Sequence, residues 1–287
     1  MIVVALTGGL GNQLFQYAAG RALALRRGVS VGLDRRWYEG GRGDRHYALD
    51  NFAISVSEVD LRSLPFRDDK ILGRLLAGRG GRFGLFHERG LTFDPSVLDL
   101  PDGTYLSGVF QSESYFADQE AALRRDLSFA AAPDDANRAI LSEIDRTQSV
   151  SLHIRRGDYV SNPKIAAVHG TLTQDYYARA AGLVAKQAGG DPVFFVFSDD
   201  PPWAADHLHL GFPLRILDHN LGARSAEDLR LMAACRHHIL ANSSFSWWGA
   251  WLNPRADKIV VAPKPWFRDA SLDDSAIVPD RWVRLPA

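Results

Sequence analysis

Pro192 to Phe197, P-V-F-F-V-F, is the stretch that most narrows the fold. Every residue in it is apolar, so as a strand it has no face to turn to water. Strands buried on both faces belong to parallel sheets with helices packed on either side. The flanking segments supply such helices. Thr173 to Gln187 places Tyr176, Tyr177, Ala180, Leu183 and Val184 on one face, with Thr173 as its cap, and Ala226 to Cys235 groups Leu229, Met232 and Ala233. Val150 to Ile154, Leu214 to Leu217, His237 to Ala241 and Lys258 to Ala262 read as further strands. Strand and helix alternate, which predicts an α/β fold.

The first half follows the same logic. Ile2 to Leu6 reads as a buried strand ending in T-G-G-L-G-N-Q, then a helix from Gln13 to Arg27 stopped by Gly28, then a strand from Val29 to Leu33. Gly9 and Gly11 fit the first two positions of a dinucleotide fingerprint, but Leu14 stands where the third glycine belongs. A ligand loop and a tight turn both fit this segment. Trp37 to Asn51 reads as a long loop, Asp60 to Arg82 as helical in part, Thr104 to Phe110 as a strand, and Ser114 to Phe129 and Asp134 to Arg146 as helices. The chain divides into a domain over 1–147 and another over 148–287, whose tail is expected to return to the first.

Composition removes several classes of function. A net charge of −1 leaves no footprint for nucleic acid or an anionic membrane. Cys235 is the only cysteine, so neither an intrachain disulfide nor a cysteine zinc site is available. No apolar run reaches the ~18 residues that span a bilayer, and M-I-V-V-A-L-T-G-G lacks the pattern of a signal peptide, so the cytoplasm is the expected compartment.

The chemistry gathers where strands of the second half end. Val150 to Ile154 alternates like a half-buried strand and runs into R-R-G-D-Y, with Gly157 breaking the strand and Asp158 and Tyr159 in the loop. Open α/β sheets place ligands at such carboxyl ends. The planar donor forks of Arg155 and Arg156 match phosphate oxygens, although 28 arginines in the chain dilute the signal. S-D-D-P-P-W at 198–203 and N-S-S-F-S-W-W-G at 242–249 hold the corresponding positions after their strands. Asp199 or Asp200 suits a ribose or base, a helix cap before Pro201, or a metal; a carboxylate-poor site disfavours Mg²⁺. Ser243, Ser244 and Ser246 suit phosphate oxygens or simple capping. His153 faces the side of Arg155 and fits either a ligand contact or a core position, whereas His237 and His238 point to opposite faces of a strand. Trp247, Trp248 and Trp251 share one helical face and read chiefly as core, with sugar stacking as the lesser reading. Together these ends read as a nucleotide site.

Four segments also resemble a known family: G-G-L-G-N-Q-L-F-Q-Y-A at 8–18, H-I-R-R-G-D-Y at 153–159, F-S-D-D at 197–200, and D-L-R-L-M-A-A-C-R-H-H-I-L-A-N-S-S-F-S-W-W-G-A-W-L at 228–252. In order and spacing they are similar to the α-1,2-fucosyltransferases of glycosyltransferase family 11, over nearly the whole chain except residues 35–130. The resemblance implies a GT-B-like fold of two Rossmann-like domains facing across a cleft. It implies GDP-β-L-fucose as donor, so no separate cofactor, and inverting transfer to the 2-hydroxyl of a galactose in a glycan acceptor, without a metal. Arg155 and Arg156 would then hold the pyrophosphate; the H-x-R pattern is shared by α-1,6- and protein O-fucosyltransferases, in which the arginine beside the phosphates is essential. His153, Ser198, Asp199, Asp200, Asn242, Ser243, Ser244 and Phe245 match donor-contacting segments, and Gly11 and Asn12 would approach the phosphates or fucose from the first domain. Family members often carry Cys-Lys after S-D-D-x-x-W, but this chain has Ala204-Ala205. Asp158 is the nearest motif carboxylate to take the acceptor's proton, but an ion pair that orients Arg155 or Arg156 fits it better. Loops 35–50 and 78–95 are expected to select the acceptor.

Overall fold

The computed structural model describes residues 1–39, 45–64 and 83–287, which fall into two compact units: Met1–Ala130 with Ser275–Ile277, and Ala131–Asp274 with Val278–Ala287. Most of the segment expected to be partly helical, 65–82, lies outside the described residues, as do residues 40–44 of the long loop.

The first unit is a four-stranded parallel sheet in the order β2-β1-β4-β3, formed by β1 (Ile2–Ala5), β2 (Val31–Asp34), β3 (Gly84–His87) and β4 (Thr104–Ser107). Helix α1 (Leu10–Arg27) joins β1 to β2 and buries Leu14, Phe15, Ala18, Ala22 and Leu23. It ends where Gly28 turns left-handed at φ 63° and donates its N–H back to Ala24 and Leu25, the usual C-terminal use of glycine. A short helix, α2 (Glu120–Asp126), closes the unit, and Asp126 there accepts from both Tyr17 and Arg21 of α1.

The second unit is a six-stranded, wholly parallel sheet in the order β10-β9-β8-β5-β6-β7. Its strands are β5 (Gln148–Ile154), β6 (Pro192–Ser198), β7 (Leu214–Leu217), β8 (His237–Ile239), β9 (Val260–Lys264) and β10 (Val283–Pro286). Helix α3 (Asp135–Arg146) precedes them, and between them lie α4 (Gly157–Ser161), α5 (Pro163–His169), α6 (Gln174–Ala188), α7 (Pro201–His207), α8 (Ser225–Ala234) and α9 (Ser244–Leu252). Alternate residues of β6 serve opposite faces, as the pleat requires. Phe194 and Val196 join Tyr176, Tyr177, Ala180 and Val184 of α6, whereas Phe195 and Phe197 join Leu231 and Met232 of α8 and Ile140 and Ile144 of α3. Thr173 caps α6, accepting from the Tyr176 N–H at 3.2 Å, and Trp247, Trp248 and Trp251, packed edge to face in succession, are fully buried.

Two parts of the sequence reading change. Helix α3 belongs to the second unit, so the division falls near residue 130 instead of 147; its apolar stripe is completed by β6 and α8. The segment after the arginines is not a loop. Gly157 opens the helical turn α4, and Asp158 lies within it.

The second sheet also carries a buried polar cluster beyond the end of β7. Asn220 donates to Asn137 at 2.8 Å and to Asp228 at 3.0 Å, while His219 meets Asn137 at 3.1 Å. Burial, only partly offset by the bond from Asn220, pushes the Asp228 carboxyl up to about 7.

Candidate functional site

Numbering the strands of the second unit by their appearance in the chain, the sheet reads third, second, first, fourth, fifth, sixth. Connections leave β5 in one direction and return beside it as β8, so the crevice between those two strands is the topological switch point where open α/β sheets take ligands. The two arginines stand at that point, at the carboxyl end of β5.

Both are held by carboxylates. Arg155 donates from Nη2 to Asp158 Oδ1 at 2.5 Å and sits 2.8 Å from Asp199 Oδ2 through Nη1. The Arg156 backbone N–H donates to the other oxygen of Asp199 at 2.8 Å, its Nε to Asp200 at 3.2 Å, and its guanidinium lies 3.8 Å from the centre of the Trp203 ring. Such a face-on cation–aromatic contact orients the fork and is worth about 0.5–2 kcal/mol. Gly157 is a packing requirement here: a Cβ on it would stand 2.6 Å from Asp199 Oδ2, so any side chain would push that carboxylate off Arg155. The two arginine side chains keep about a fifth of their surface, 19% and 20%, open to solvent.

The neighbouring strand ends supply the rest. After β6, Asp200 caps α7 by accepting from the Trp203 N–H at 3.3 Å, and its own N–H donates to Ser198 Oγ at 3.0 Å. After β8, Ser243 caps α9 by accepting from the Phe245 N–H at 3.3 Å, and Ser246 returns its hydroxyl to backbone carbonyls. The capping readings of Asp200 and Ser243 thus describe their hydrogen bonds. His153, 5% exposed, packs its ring 5.7 Å from that of Phe245, and its Nδ1 has no partner among the described residues. Burial, reinforced by Arg155, lowers its imidazole to about 3, so the ring is neutral across the physiological range. Asp158 holds the orienting geometry of the sequence reading, paired to Arg155.

The residue model of "Glycosyl transferase family 11" matches residues 84–286. An α-1,2-colitosyltransferase of Escherichia coli is 33% identical, covering 99% of either chain. The O-antigen biosynthesis glycosyltransferase WbnK of the same species is 32% identical over 98% of this chain and 99% of its own. The chain belongs to glycosyltransferase family 11. A mouse galactoside 2-α-L-fucosyltransferase, Sec1, is 28% identical over 48% of this chain and 38% of its own. Among solved structures, NodZ α-1,6-fucosyltransferase soaked with GDP-fucose superposes with a TM-score of 0.50 at 15% identity, covering 91% of this chain and 94% of that one. At that identity the likeness speaks for the fold, a GT-B-like α/β architecture with two parallel sheets.

Within this family member, the second unit gathers His153, Arg155, Arg156, Asp158, Ser198, Asp199, Asp200, Asn242, Ser243, Ser244 and Phe245 at the carboxyl edge of one sheet. Gly11 and Asn12 belong to the first unit, at the start of α1, where Asn12 Oδ1 accepts from Gln111 at 3.0 Å. Sequence reasoning overlooked His169 altogether. It is the last residue of α5, and its ring stacks on Tyr159 at 4.6 Å and 14°. No periodicity marks a lone histidine before a glycine; its place comes from tertiary stacking. Among the described residues no helix is long and apolar enough to cross a membrane.

Proposed function

We propose that this protein transfers L-fucose from GDP-β-L-fucose to the 2-hydroxyl of a galactose residue in a glycan, with inversion and without a metal ion, in the cytoplasm. The observation that carries the reading is the Arg155–Arg156 pair at the switch point of a six-stranded parallel sheet, in a family 11 chain. As the C1–O bond breaks, negative charge collects on the departing β-phosphate. Two guanidiniums fixed by Asp158, Asp199 and Trp203 meet that charge without reorganising, so they bind the transition state more tightly than the ground state. Two arginines on the diphosphate would make a divalent ion unnecessary there. The acceptor hydroxyl attacks the opposite face and loses its proton; Asp158 is the carboxylate nearest the clamp, and leaving Arg155 for the hydroxyl would make it the base.

A second donor has its own support. The 33%-identical relative is named a colitosyltransferase, and colitose is L-fucose without its 3-hydroxyl. One experiment separates these readings. Purified protein is incubated in EDTA with GDP-fucose or GDP-colitose, with and without lactose, and GDP release is followed. Lactose-stimulated release from GDP-fucose, with a Fuc-α-1,2-Gal product by NMR, is the expected result. Preference for GDP-colitose replaces the donor, and dependence on added Mg²⁺ or Mn²⁺ replaces the metal-free mechanism. Binding of donor with no release under any acceptor points to a glycan- or nucleotide-sugar-binding module.

A further inference from the structure

In a sheet ordered third, second, first, fourth, the acidic residue after the second strand is the one that meets ribose hydroxyls. Here the second strand is β6, and the acids are Asp199 and Asp200. With the diphosphate on Arg155 and Arg156 at the end of β5, the nucleoside extends toward β6. The other end of a sugar nucleotide then extends toward β8.

The β8 side holds two unmatched polar atoms. Asn242 is 2% exposed; its Nδ2 donates to the His169 carbonyl at 2.8 Å, which fixes the amide orientation, and its Oδ1 is buried without a partner among the described residues. The His169 ring lies flat on Tyr159 and 5.4 Å from the ring of Phe267, and its Nδ1 is likewise buried and unpartnered. Hydrogen bonds hold the frame around them: the Tyr159 hydroxyl donates to the Asn242 carbonyl at 3.0 Å, and the Arg268 N–H to the Val168 carbonyl at 2.9 Å. A buried acceptor left unmatched costs about 1–3 kcal/mol, and native folds keep few of them. The two atoms sit on residues tied to each other by the bond from Asn242 Nδ2 to the His169 carbonyl.

We propose that Asn242 and His169 form the subsite for the transferred hexose, with Asn242 Oδ1 accepting from a ring hydroxyl and His169 Nδ1 bonding a second. This rests on the sugar-nucleotide reading above and adds its polarity: nucleoside over β6, hexose over β8. Tyr159 and Phe267 act as positioning residues that hold the imidazole.

The test is titration calorimetry of the full chain with GDP and, separately, with GDP-fucose. His169→Phe keeps the stack and removes the ring nitrogens; Asn242→Ala removes the amide. Either variant is expected to weaken GDP-fucose at least tenfold while GDP changes less than threefold. His169→Phe preserves the shape of the site, so it carries the test even if Asn242→Ala does not fold. Equal losses for both ligands, or no loss for either, overturns the hexose subsite. A wild-type protein that binds neither ligand overturns the sugar-nucleotide reading itself, whereas one that binds both leaves that reading standing whatever the variants do.

Discussion

The two sheets of this molecule end alike and differ in what their ends do with polar side chains. In the first unit the segment after β1 is rich in amides, and those amides are bound to the protein itself. Gln16 accepts from the Thr7 N–H and donates to Thr7 Oγ1 and the Gly108 carbonyl, each at 2.9 Å. Gln13 donates to the His46 carbonyl at 2.8 Å and accepts from the Ala48 N–H at 2.9 Å. In the second unit the segment after β5 keeps two partly exposed arginine side chains, and buried atoms on His153, His169 and Asn242 have no partner among the described residues. A motif of polar residues at a strand end is therefore not one kind of thing. Where its bonds close on the backbone it fixes loops; where side chains pair with one another at the strand ends, it leaves part of their surface to solvent.

That contrast breaks or sharpens under substitution. The largest effect is expected from Arg155→Ala: turnover falls by roughly 10²–10³, the loss typical of one charge-stabilising donor, while the far-ultraviolet dichroism stays that of the wild type. Near-normal turnover in the folded variant would place Arg155 among structural pairs, like the first unit's amides. Next, Asp228→Asn tests whether the second unit too has a purely structural polar cluster. With the carboxyl raised from 3.8 to about 7 by burial, the folded state holds the proton more tightly than the unfolded one. Its stabilisation is full below about pH 4 and is lost as pH rises through about 7. The variant does not titrate, so its urea stability relative to wild type should grow between pH 4 and 8 by on the order of 3 kcal/mol; a pH-independent difference removes the argument. Gln16→Ala should lower stability by about 1–2 kcal/mol, since it strands the half-buried Thr7 N–H and Gly108 carbonyl, and leave calorimetric affinity for GDP unchanged. A GDP defect there would erase the distinction between the two edges. The smallest effect is Ser243→Ala, about 1 kcal/mol of stability from the lost cap of α9, with GDP affinity within threefold of wild type because the hydroxyl already serves the helix.

How much the sequence disclosed follows the same division. Strands β5 and β6 were legible because their apolar residues have no alternative to the core, and Thr173, Asp134 and Gly28 marked helix ends by chemistry that works locally. Strand β3 escaped because Gly84, Leu85 and His87 are exposed and carry no alternating face, and β10 is only half buried. Gly157 was read as a breaker, since glycine usually is one; its real duty, making room for Asp199, involves a residue 42 positions later in the chain. The arginines and the S-D-D and N-S-S segments were visible as motifs. Their ion pairing, the stack of His169 on Tyr159, and the atoms left without partners depend on which strand ends become neighbours, and strand order cannot be read from periodicity.

The pairing of the clamp has a consequence at long range. Arg155 and Arg156 bring two positive charges to the switch point, and Asp158, Asp199 and Asp200 bring three negative ones within 3.2 Å of them. From a Debye length away the cluster is not a cationic beacon. It will not draw anions from solution, so encounter with a diphosphate should proceed at an unsteered rate with a shallow dependence on ionic strength. Discrimination is deferred to contact within the crevice, and polyanions that cannot fit it gain nothing from approaching it.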